Sequence, residues 1–448
     1  MLLRTVSFCF AAVLAAQSVF AETGKVTTFE LENGLQGVVI EDHRAPVVTN
    51  MVWYRVGSAD EPAGYTGVAH FLEHLLFKGT KTLKPGEFSK IVKENGGVGN
   101  AFTSYDYTGY FQRVAADRLP LMMQLEADRM RNLVLLEEDV VTERNVVIEE
   151  RNTRTESDPN SLFQEQRRAM MFMNHPYRNP VIGWRHEIEA LNLQAALDFY
   201  ETYYAPNNAI LVIAGDVTPE NVKALAEEHF GPLKPSDNIP ERVRPKEPPH
   251  LSPVTVTFQD PRQTQPYFVR SYQAPKRQSG DQKEAAALLL FAQLLGGSGI
   301  SSVMGQKLQL EQKIAVHTSA WYDSMSYDPE TFGVYAMPRP DVTLDDLQDA
   351  VDQVLAEFLE EGVDAEHLAR LKVQIAAEDI YELDDQAGVA RTYGQALTAG
   401  LTVQDVQSWS DVLQSVTEED IMAAARKVLV LKQSVTGLML PPATEESQ

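Results

Sequence analysis

A segment rich in proline and charge divides this chain of 448 residues near its middle. It reads GPLKPSDNIPERVRPKEPPHLSP and has no apolar periodicity, so we predict a linker at 232–253. The two flanking halves share a pattern: 193–216 and 417–440 align without gaps as an amphipathic helix, a polar break and an apolar strand. We therefore expect two similar domains. The alternative is a chance likeness of two helix–strand units.

Other segments indicate a mixture of strands and helices. Apolar runs rich in β-branched residues predict strands, and apolar residues at helical spacing predict helices. The predicted strands are 35–43, 45–58, 267–273 and 331–338, and the predicted helices are 118–133, 346–362 and 365–383. Early strands followed by runs of helix favour an α+β fold over a doubly wound parallel sheet. The apolar segment 284–297 is too short for a membrane span and is expected to be a buried helix.

The first residues have the pattern of a signal peptide. Arg4 gives a short positive start, 8–19 is mostly apolar, and Ala21 ends a motif typical of a cleavage site. We predict a signal peptide at 1–21, a periplasmic or secreted protein, and no stable membrane span after cleavage. An uncleaved anchor or an unexported chain is the alternative. The only cysteine, Cys9, lies inside this segment, so the mature chain would have no disulfide and no zinc thiolate.

The charge balance restricts the classes of partner. The formal net charge is −24 at pH 7, which disfavours binding to a nucleic acid backbone. Basic peptides would be attracted, although an acidic surface also serves solubility alone.

The stretch GVAHFLEHLLFKGT, at 67–80, predicts half of a metal site. Residues four apart lie on one face of a helix, so His70 and His74 can present two imidazoles to one zinc ion. Glu73 would lie beside the ion as a general base rather than as a ligand. This H-x-x-E-H order is the inverzincin signature. The alternative is a helix that carries two surface histidines.

A catalytic zinc usually needs a third protein ligand, and a second helical segment offers one. In ERNVVIEERNTRTESDP, Glu143, Val146, Val147 and Glu150 share one helical stripe. If the valines face inward, Glu150 becomes a better ligand than Glu149, and Glu143 becomes a candidate to orient a ligand. The alternative is a set of solvated acids on a charged helix.

With these motifs the chain resembles peptidase family M16, the pitrilysin family, over nearly all of the mature sequence. The likeness is strongest to the zinc-bearing subunit of the mitochondrial processing peptidase and to bacterial two-subunit relatives. In the family a zinc-binding glutamate follows the motif by about 76 residues, which is Glu150 here, and an auxiliary glutamate precedes it by seven, which is Glu143. Further matching segments are 96–111, 175–191 and 199–217.

The resemblance implies a fold and its boundaries. The family fold has two similar α+β domains, each a mainly antiparallel or mixed sheet with helices packed on one face. The predicted organisation is a signal peptide at 1–21, an N-terminal domain with the zinc site at 22–231, a linker at 232–253, a C-terminal domain at 254–441 and a tail at 442–448.

The resemblance also implies peptide-bond hydrolysis with one zinc ion per chain. His70, His74 and Glu150 would bind the metal, and Glu73 would accept a proton from water and deliver it to the leaving amine. In the family a strand edge pairs with the extended substrate, which makes Asn100, Ala101 and Thr103 candidates for peptide contact. An interior strand with turn residues is the alternative.

One family feature is missing. Many members place an arginine and a tyrosine in the second domain, but the corresponding positions here are Gln309 and Val316. Neither supplies the missing donor in kind. We expect a homologous subunit to supply the pair, with a homodimer as another arrangement. A less efficient enzyme or a misalignment would also explain the difference.

The sequence thus predicts a zinc-dependent endopeptidase, acting on peptides or unfolded polypeptides as the catalytic subunit of a heterodimer. The competing prediction is a non-catalytic assembly or peptide-binding subunit, since some relatives have lost activity. A structural zinc is disfavoured because structural sites normally have four protein ligands, whereas this set has three and a base.

Overall fold

The computed structural model describes residues 24–442. The predicted signal peptide lies outside these residues, and so do positions 443–448 of the predicted tail. The domain boundaries proposed from the sequence stay predictions, but the regular structure falls into two parts on either side of 232–253, where there is no helix or strand.

The first part contains eight strands and eight helices. The strands are β1 (Val26–Glu30), β2 (Gln36–Glu41), β3 (Val47–Tyr54), β4 (Gly79–Thr80), β5 (Val98–Thr103), β6 (Thr108–Ala115), β7 (Leu133–Val134) and β8 (Ala209–Gly215). The helices are α1 (Val68–Leu75), α2 (Glu87–Glu94), α3 (Leu119–Arg131), α4 (Glu137–Arg151), α5 (Pro159–Met171), α6 (Arg185–Ile188), α7 (Leu193–Tyr203) and α8 (Pro219–His229).

The second part contains five strands and seven helices. The strands are β9 (Val254–Gln259), β10 (Tyr267–Ala274), β11 (Ala315–Tyr322), β12 (Glu330–Pro338) and β13 (Ser434–Leu440). The helices are α9 (Lys283–Ala292), α10 (Leu344–Glu361), α11 (Ala365–Glu382), α12 (Gln386–Thr398), α13 (Val403–Gln407), α14 (Trp409–Ser415) and α15 (Glu418–Val428).

The two main sheets share one order of five strands, and the first sheet has a sixth strand, β1, at its edge. The first has the order β1-β2-β8-β3-β6-β5, and the second has the order β9-β13-β10-β12-β11. In each sheet one pair is parallel, β2 with β8 or β9 with β13, and the other pairs are antiparallel. The α+β class with mixed sheets is confirmed. The predicted repeat is also confirmed, because its two copies form α7 with β8 and α15 with β13.

The segments predicted from periodicity are confirmed as elements, with small differences at their ends. The predicted strands became β2, β3, β10 and β12, and the predicted helices became α3, α10 and α11. The apolar segment 284–297 is helical and largely buried, and its last turn, 293–297, widens to a π-helical turn.

Each main sheet buries both faces. On one face of the first sheet, Val48, Val52 and Tyr54 pack in the core that also contains residues of α1, α3, α7 and α8. The alternate residues Met51 and Trp53 face the other way. A helix from the second part of the chain covers that other face.

This covering is reciprocal. Helix α12 packs on β3 and β8 of the first sheet, whereas α5 packs on β9 and β13 of the second sheet. A glycine allows each close approach: a Cβ at Gly394 would lie 2.1 Å from the Trp53 ring, and one at Gly437 would lie 2.4 Å from the Phe163 ring. Each part of the chain therefore supplies one helix to the other's sheet, in addition to the helices on the predicted face.

The linker is fixed by ion pairs rather than loosely attached. The side chain of Arg244 is only 5% exposed and contacts Asp60 at 2.8 Å, Asp106 at 2.5 Å and Asp328 at 3.0 Å. Asp106 lies in the turn between β5 and β6, and Asp328 lies in the loop between β11 and β12. Arg244 thus joins equivalent hairpins of the two sheets. Among residues 24–442, no helix is both long enough and apolar enough to span a membrane.

Candidate metal centre

Helix α1 presents the H-x-x-E-H motif because its opposite face is committed to the core. Phe71, Leu72 and Leu75 are fully buried, which turns the motif residues toward α4 and β5. The residue before the helix is Gly67, whose φ of 89° favours glycine. The carboxylate of Glu61 accepts hydrogen bonds from the backbone N–H groups of Gly67 and Ala69, and so caps the helix.

Helix α4 brings the distant glutamates to the motif. Val140 and Val147 are buried and fix its rotation. The expectation for Val146 was wrong, because its side chain is 46% exposed. Because an α-helix has 3.6 residues per turn, neighbouring side chains point in different directions. Val147 faces the core, and Val146 does not. Val140 and Val147 direct Glu143 and Glu150 toward α1 without a contribution from Val146.

The three predicted ligands converge. Glu150 Oε2 lies 3.3 Å from His74 Nε2 and 3.7 Å from His70 Nε2. One ligand atom from each residue lies within 4.8 Å of the other two, and no other such group of histidine, cysteine, aspartate or glutamate occurs within 24–442. The role of these residues as zinc ligands stays a prediction, but the alternative of two histidines on an open surface does not describe their surroundings.

The donor set and its electrostatics fit a zinc ion. Burial, with His74 nearby, lowers the pKa of His70 to about 4, which keeps that imidazole neutral as a ligand must be. Burial alone would lower the pKa of His74, but hydrogen bonds to Glu143 and Glu150 raise it to about 9. The space between His74 and Glu150 therefore attracts positive charge. Two imidazoles and one carboxylate are the protein ligands of many catalytic zinc sites.

Glu143 and Glu150 each also contact a basic side chain, which the sequence reasoning missed. Glu143 accepts from His74 Nδ1 at 2.9 Å, and its other oxygen lies 2.6 Å from Lys78 Nζ. The hydrogen bond from His74 is the main cause that lowers the pKa of Glu143 to about 2. The second oxygen of Glu150 lies 2.5 Å from Arg154. The signal for Lys78 was its spacing of four residues from His74.

The predicted base lies beside this group without belonging to it. Glu73 accepts a short hydrogen bond from the Thr103 hydroxyl, and its burial raises its pKa. Thr103 was predicted only as a peptide contact. In the structure its side chain holds Glu73, so its contact with a peptide would have to come from the backbone.

Strand β5 is an edge strand and not an interior one. Within the described part of the chain it pairs only with β6. Ser104 donates its N–H to Tyr107 across the turn that joins the two strands. Because bonded and non-bonded pairs alternate in an antiparallel ladder, the backbone groups of Ala101 and Thr103 point to the open edge. The Ala101 side chain is buried, whereas Asn100 is exposed.

A cleft of about 630 Å³ lies next to this edge. Glu73, His74, Lys78 and Glu143 line it together with residues of α2 and β5, Asn100 among them. The base, one histidine and the strand edge therefore open onto one space large enough for an amino acid side chain.

The positions aligned with the family's arginine and tyrosine carry neither group. Gln309 donates its side-chain amide to Thr318 at 2.8 Å, and Val316 is exposed on β11. Strand β11 is the counterpart of β5 in the second sheet, at its edge.

Relatives share the whole length of this arrangement. A zinc protease of Helicobacter pylori, PqqE, is 32% identical over 438 residues, which cover 96% of this chain and 95% of the relative. This chain belongs to peptidase family M16. The family description Insulinase (Peptidase family M16) matches 37–184, which contains all five motif residues, and the description Peptidase M16 inactive domain matches 190–375. The resemblance drawn from the motifs is confirmed.

Two further comparisons also cover nearly the whole of this chain. The crystal structure of a protease from Helicobacter pylori is 30% identical, with a TM-score of 0.87 over 93% of this chain and 100% of that chain. A probable mitochondrial-processing peptidase subunit beta of Arabidopsis thaliana is 23% identical over 437 residues, covering 96% of this chain and 81% of the relative.

Proposed function

We propose that this M16 chain is a zinc-dependent endopeptidase that hydrolyses peptides or unfolded polypeptides. One observation carries the proposal: His70, His74 and Glu150 meet at one point, with Glu73 beside them and not among them. Three protein ligands leave a coordination position free, which is typical of a catalytic site and not of a structural one.

The chain's own residues would divide the work as follows. When bound, zinc would act as a Lewis acid toward the scissile carbonyl and toward water. Glu73, held by Thr103, would accept the water proton and then deliver it to the leaving amine. The edge of β5 would hold the substrate backbone in an extended form, which accepts most side chains. Glu143 would keep the His74 ring oriented.

The proposal is tested by Glu73→Gln. General base catalysis contributes about 10²–10⁴-fold, so the variant should lose that much kcat on a mixed peptide library. Its zinc content should stay at one ion per chain, because Glu73 is not a ligand. Undiminished cleavage by a zinc-loaded E73Q protein would contradict the role of Glu73. Absence of zinc from the unsubstituted protein would contradict the function.

We also propose that a homologous chain completes the site. The support is that Gln309 and Val316, at the positions expected for the pair, offer neither the cation nor the phenol that many family members have there. The same observation favours the rival function, a non-catalytic assembly or peptide-binding subunit. Activity that appears only on mixing with a copurifying M16 chain would support the heterodimer. Strong activity of the isolated chain would exclude a need for that partner.

Export is part of the proposal. The pattern of 1–21 supports cleavage after Ala21 and a periplasmic or secreted protein. Amino-terminal sequencing of protein from the native host should then begin at Glu22. A protein that retains Met1 would contradict processing.

A further inference from the structure

The two histidines of the metal centre are supported unequally. Nδ1 of His70 is buried and has no hydrogen-bond partner among the described residues. Nδ1 of His74 donates to Glu143, which fixes the ring and directs Nε2 toward Glu150. The orientation of the His74 ring therefore depends on the residue that fixes the Glu143 carboxylate.

Lys78 is the residue that holds it. Its ammonium group lies 2.6 Å from Glu143 Oε2, and both side chains are largely buried, at 20% and 12% exposure. The backbone around Lys78 is itself fixed. Its N–H bonds to Leu75 at the end of α1, and the next residue begins β4, which pairs with β7 just before α4. Lys78 thus lies between α1 and the β4–β7 pairing that connects α1 to the segment before α4.

The other basic contact of the centre differs in exposure. Arg154 lies 2.5 Å from Glu150, but its side chain is 75% exposed. Exposed ion pairs are screened by water and contribute little, whereas a buried carboxylate that loses its cation also loses its preferred orientation.

We propose that Lys78 is a positioning residue of the metal centre, which fixes Glu143 and through it the His74 ring. This inference rests on the proposed zinc site but does not require proteolysis. The direction of the change in zinc affinity distinguishes a positioning role of Lys78 from a purely electrostatic effect of its charge. Removing a positive charge near a cation site should by itself strengthen zinc binding, whereas loss of positioning should weaken it.

The test measures zinc affinity by competition with a chromophoric chelator, using Lys78→Met in the full chain. Removing an outer-shell partner of a metal ligand costs about 10–100-fold in affinity, and Lys78 acts one step further out, so we expect about fivefold weaker binding. The matched control is Lys93→Met. Lys93 lines the same cleft, is exposed, and has no ion pair to the described residues of the centre. The K93M protein should bind zinc with an affinity within twofold of that of the unsubstituted chain, or more tightly.

A double-mutant cycle shows whether Lys78 acts through Glu143. In a Glu143→Gln background, adding K78M should change the affinity by less than twofold, because the group that Lys78 holds is gone. Lys78→Arg should retain most of the affinity. Lys78→Gln serves as a second replacement if K78M does not fold, as judged by circular dichroism.

The inference is overturned if K78M, or K78Q in its place, binds zinc within twofold of the unsubstituted chain, or if the loss is equal in the E143Q background. It is also overturned if K93M is weakened as much as K78M. The first three outcomes leave the proposed function standing. No zinc binding by the unsubstituted chain would overturn both.

Discussion

The side chain of Glu73 occupies an unusual position for an acid. It is largely removed from water, which raises its pKa, and its described hydrogen-bond partner is the hydroxyl of Thr103. The hydroxyl comes from the strand that also presents the open sheet edge. Thr103 therefore connects the proposed base, Glu73, to the edge of β5 that is proposed to bind the substrate.

Replacing Thr103 by valine should lower kcat while leaving zinc content and KM nearly unchanged. A hydrogen bond to a charged group contributes about 1.5–3 kcal/mol, and about 1.4 kcal/mol corresponds to a tenfold change in rate, so we expect a loss of roughly tenfold or more. Steady-state kinetics with one peptide that the unsubstituted protein cleaves measures kcat and KM for both proteins.

Thr103→Ser is the matched control, since it retains the hydroxyl and should keep most of the activity. A T103V protein with normal kcat would show that Glu73 does not need this partner.

At the scale of single residues, the sequence predicts the metal ligands better than the side chains that hold those ligands in place. His70, Glu73 and His74 are close in sequence, so helical spacing alone places them together. Glu150 was reached through both a helical stripe and a family spacing. Lys78 and Arg154 each lie four residues from a ligand, but the contact of Lys78 with Glu143 and the bond from Thr103 to Glu73 depend on how α1, α4 and β5 pack.

At the scale of elements, the exchange of α5 and α12 fixes how the two sheets are covered. Trp53 is fully buried between β3 and α12, and it fits because position 394 has no side chain. The sequence analysis did not predict α12, and nothing in its sequence shows which sheet the helix covers. Met51 and Trp53 alternate with Val48 and Val52, and that double-sided apolar pattern was the signal that both faces of β3 are buried.

Gly394→Ala should destabilise the protein despite the better helix propensity of alanine. The added Cβ would lie 2.1 Å from the enclosed Trp53 ring, and overpacking of a core typically costs about 1–3 kcal/mol. Urea unfolding followed by circular dichroism measures the free energy of unfolding.

Gly388→Ala is the control in the same helix. Its Cβ would meet only the exposed side chain of Asp385, which caps the helix, so a gain of about 1 kcal/mol in helix propensity would offset a disturbed cap, which costs about 1 kcal/mol. If G394A were as stable as G388A, the tight packing of α12 on the first sheet would be wrong.

At the scale of the whole molecule, two sheets that share an order of five strands are joined by exchanged helices and by a cluster of charges with little exposure. Sequence similarity between 193–216 and 417–440 correctly predicted the repetition. It could not predict the exchange, because a helix that covers the opposite sheet has the same apolar periodicity as one that covers its own. The linker composition likewise predicted a connection at 232–253 but not its attachment, in which the Arg244 side chain lies among acids from both parts.

The two parts should therefore not fold separately. Residues 24–253 expressed alone would leave apolar residues of the first sheet uncovered where α12 packs, and 254–442 alone would lack α5. We expect each fragment alone to aggregate or to bind a hydrophobic dye, and co-expression to give a soluble complex. Size-exclusion chromatography with light scattering distinguishes these states. Two fragments that are each monomeric and unfold cooperatively would contradict the exchange.

The account as a whole depends on two helices, α1 and α4, bringing three side chains to one zinc ion. Diffraction from zinc-loaded crystals, with data on both sides of the zinc absorption edge, measures this directly. We predict one anomalous peak per chain, about 2.0–2.2 Å from His70 Nε2, His74 Nε2 and a carboxylate oxygen of Glu150. No peak at this position, or a peak bound by other residues, would contradict the account.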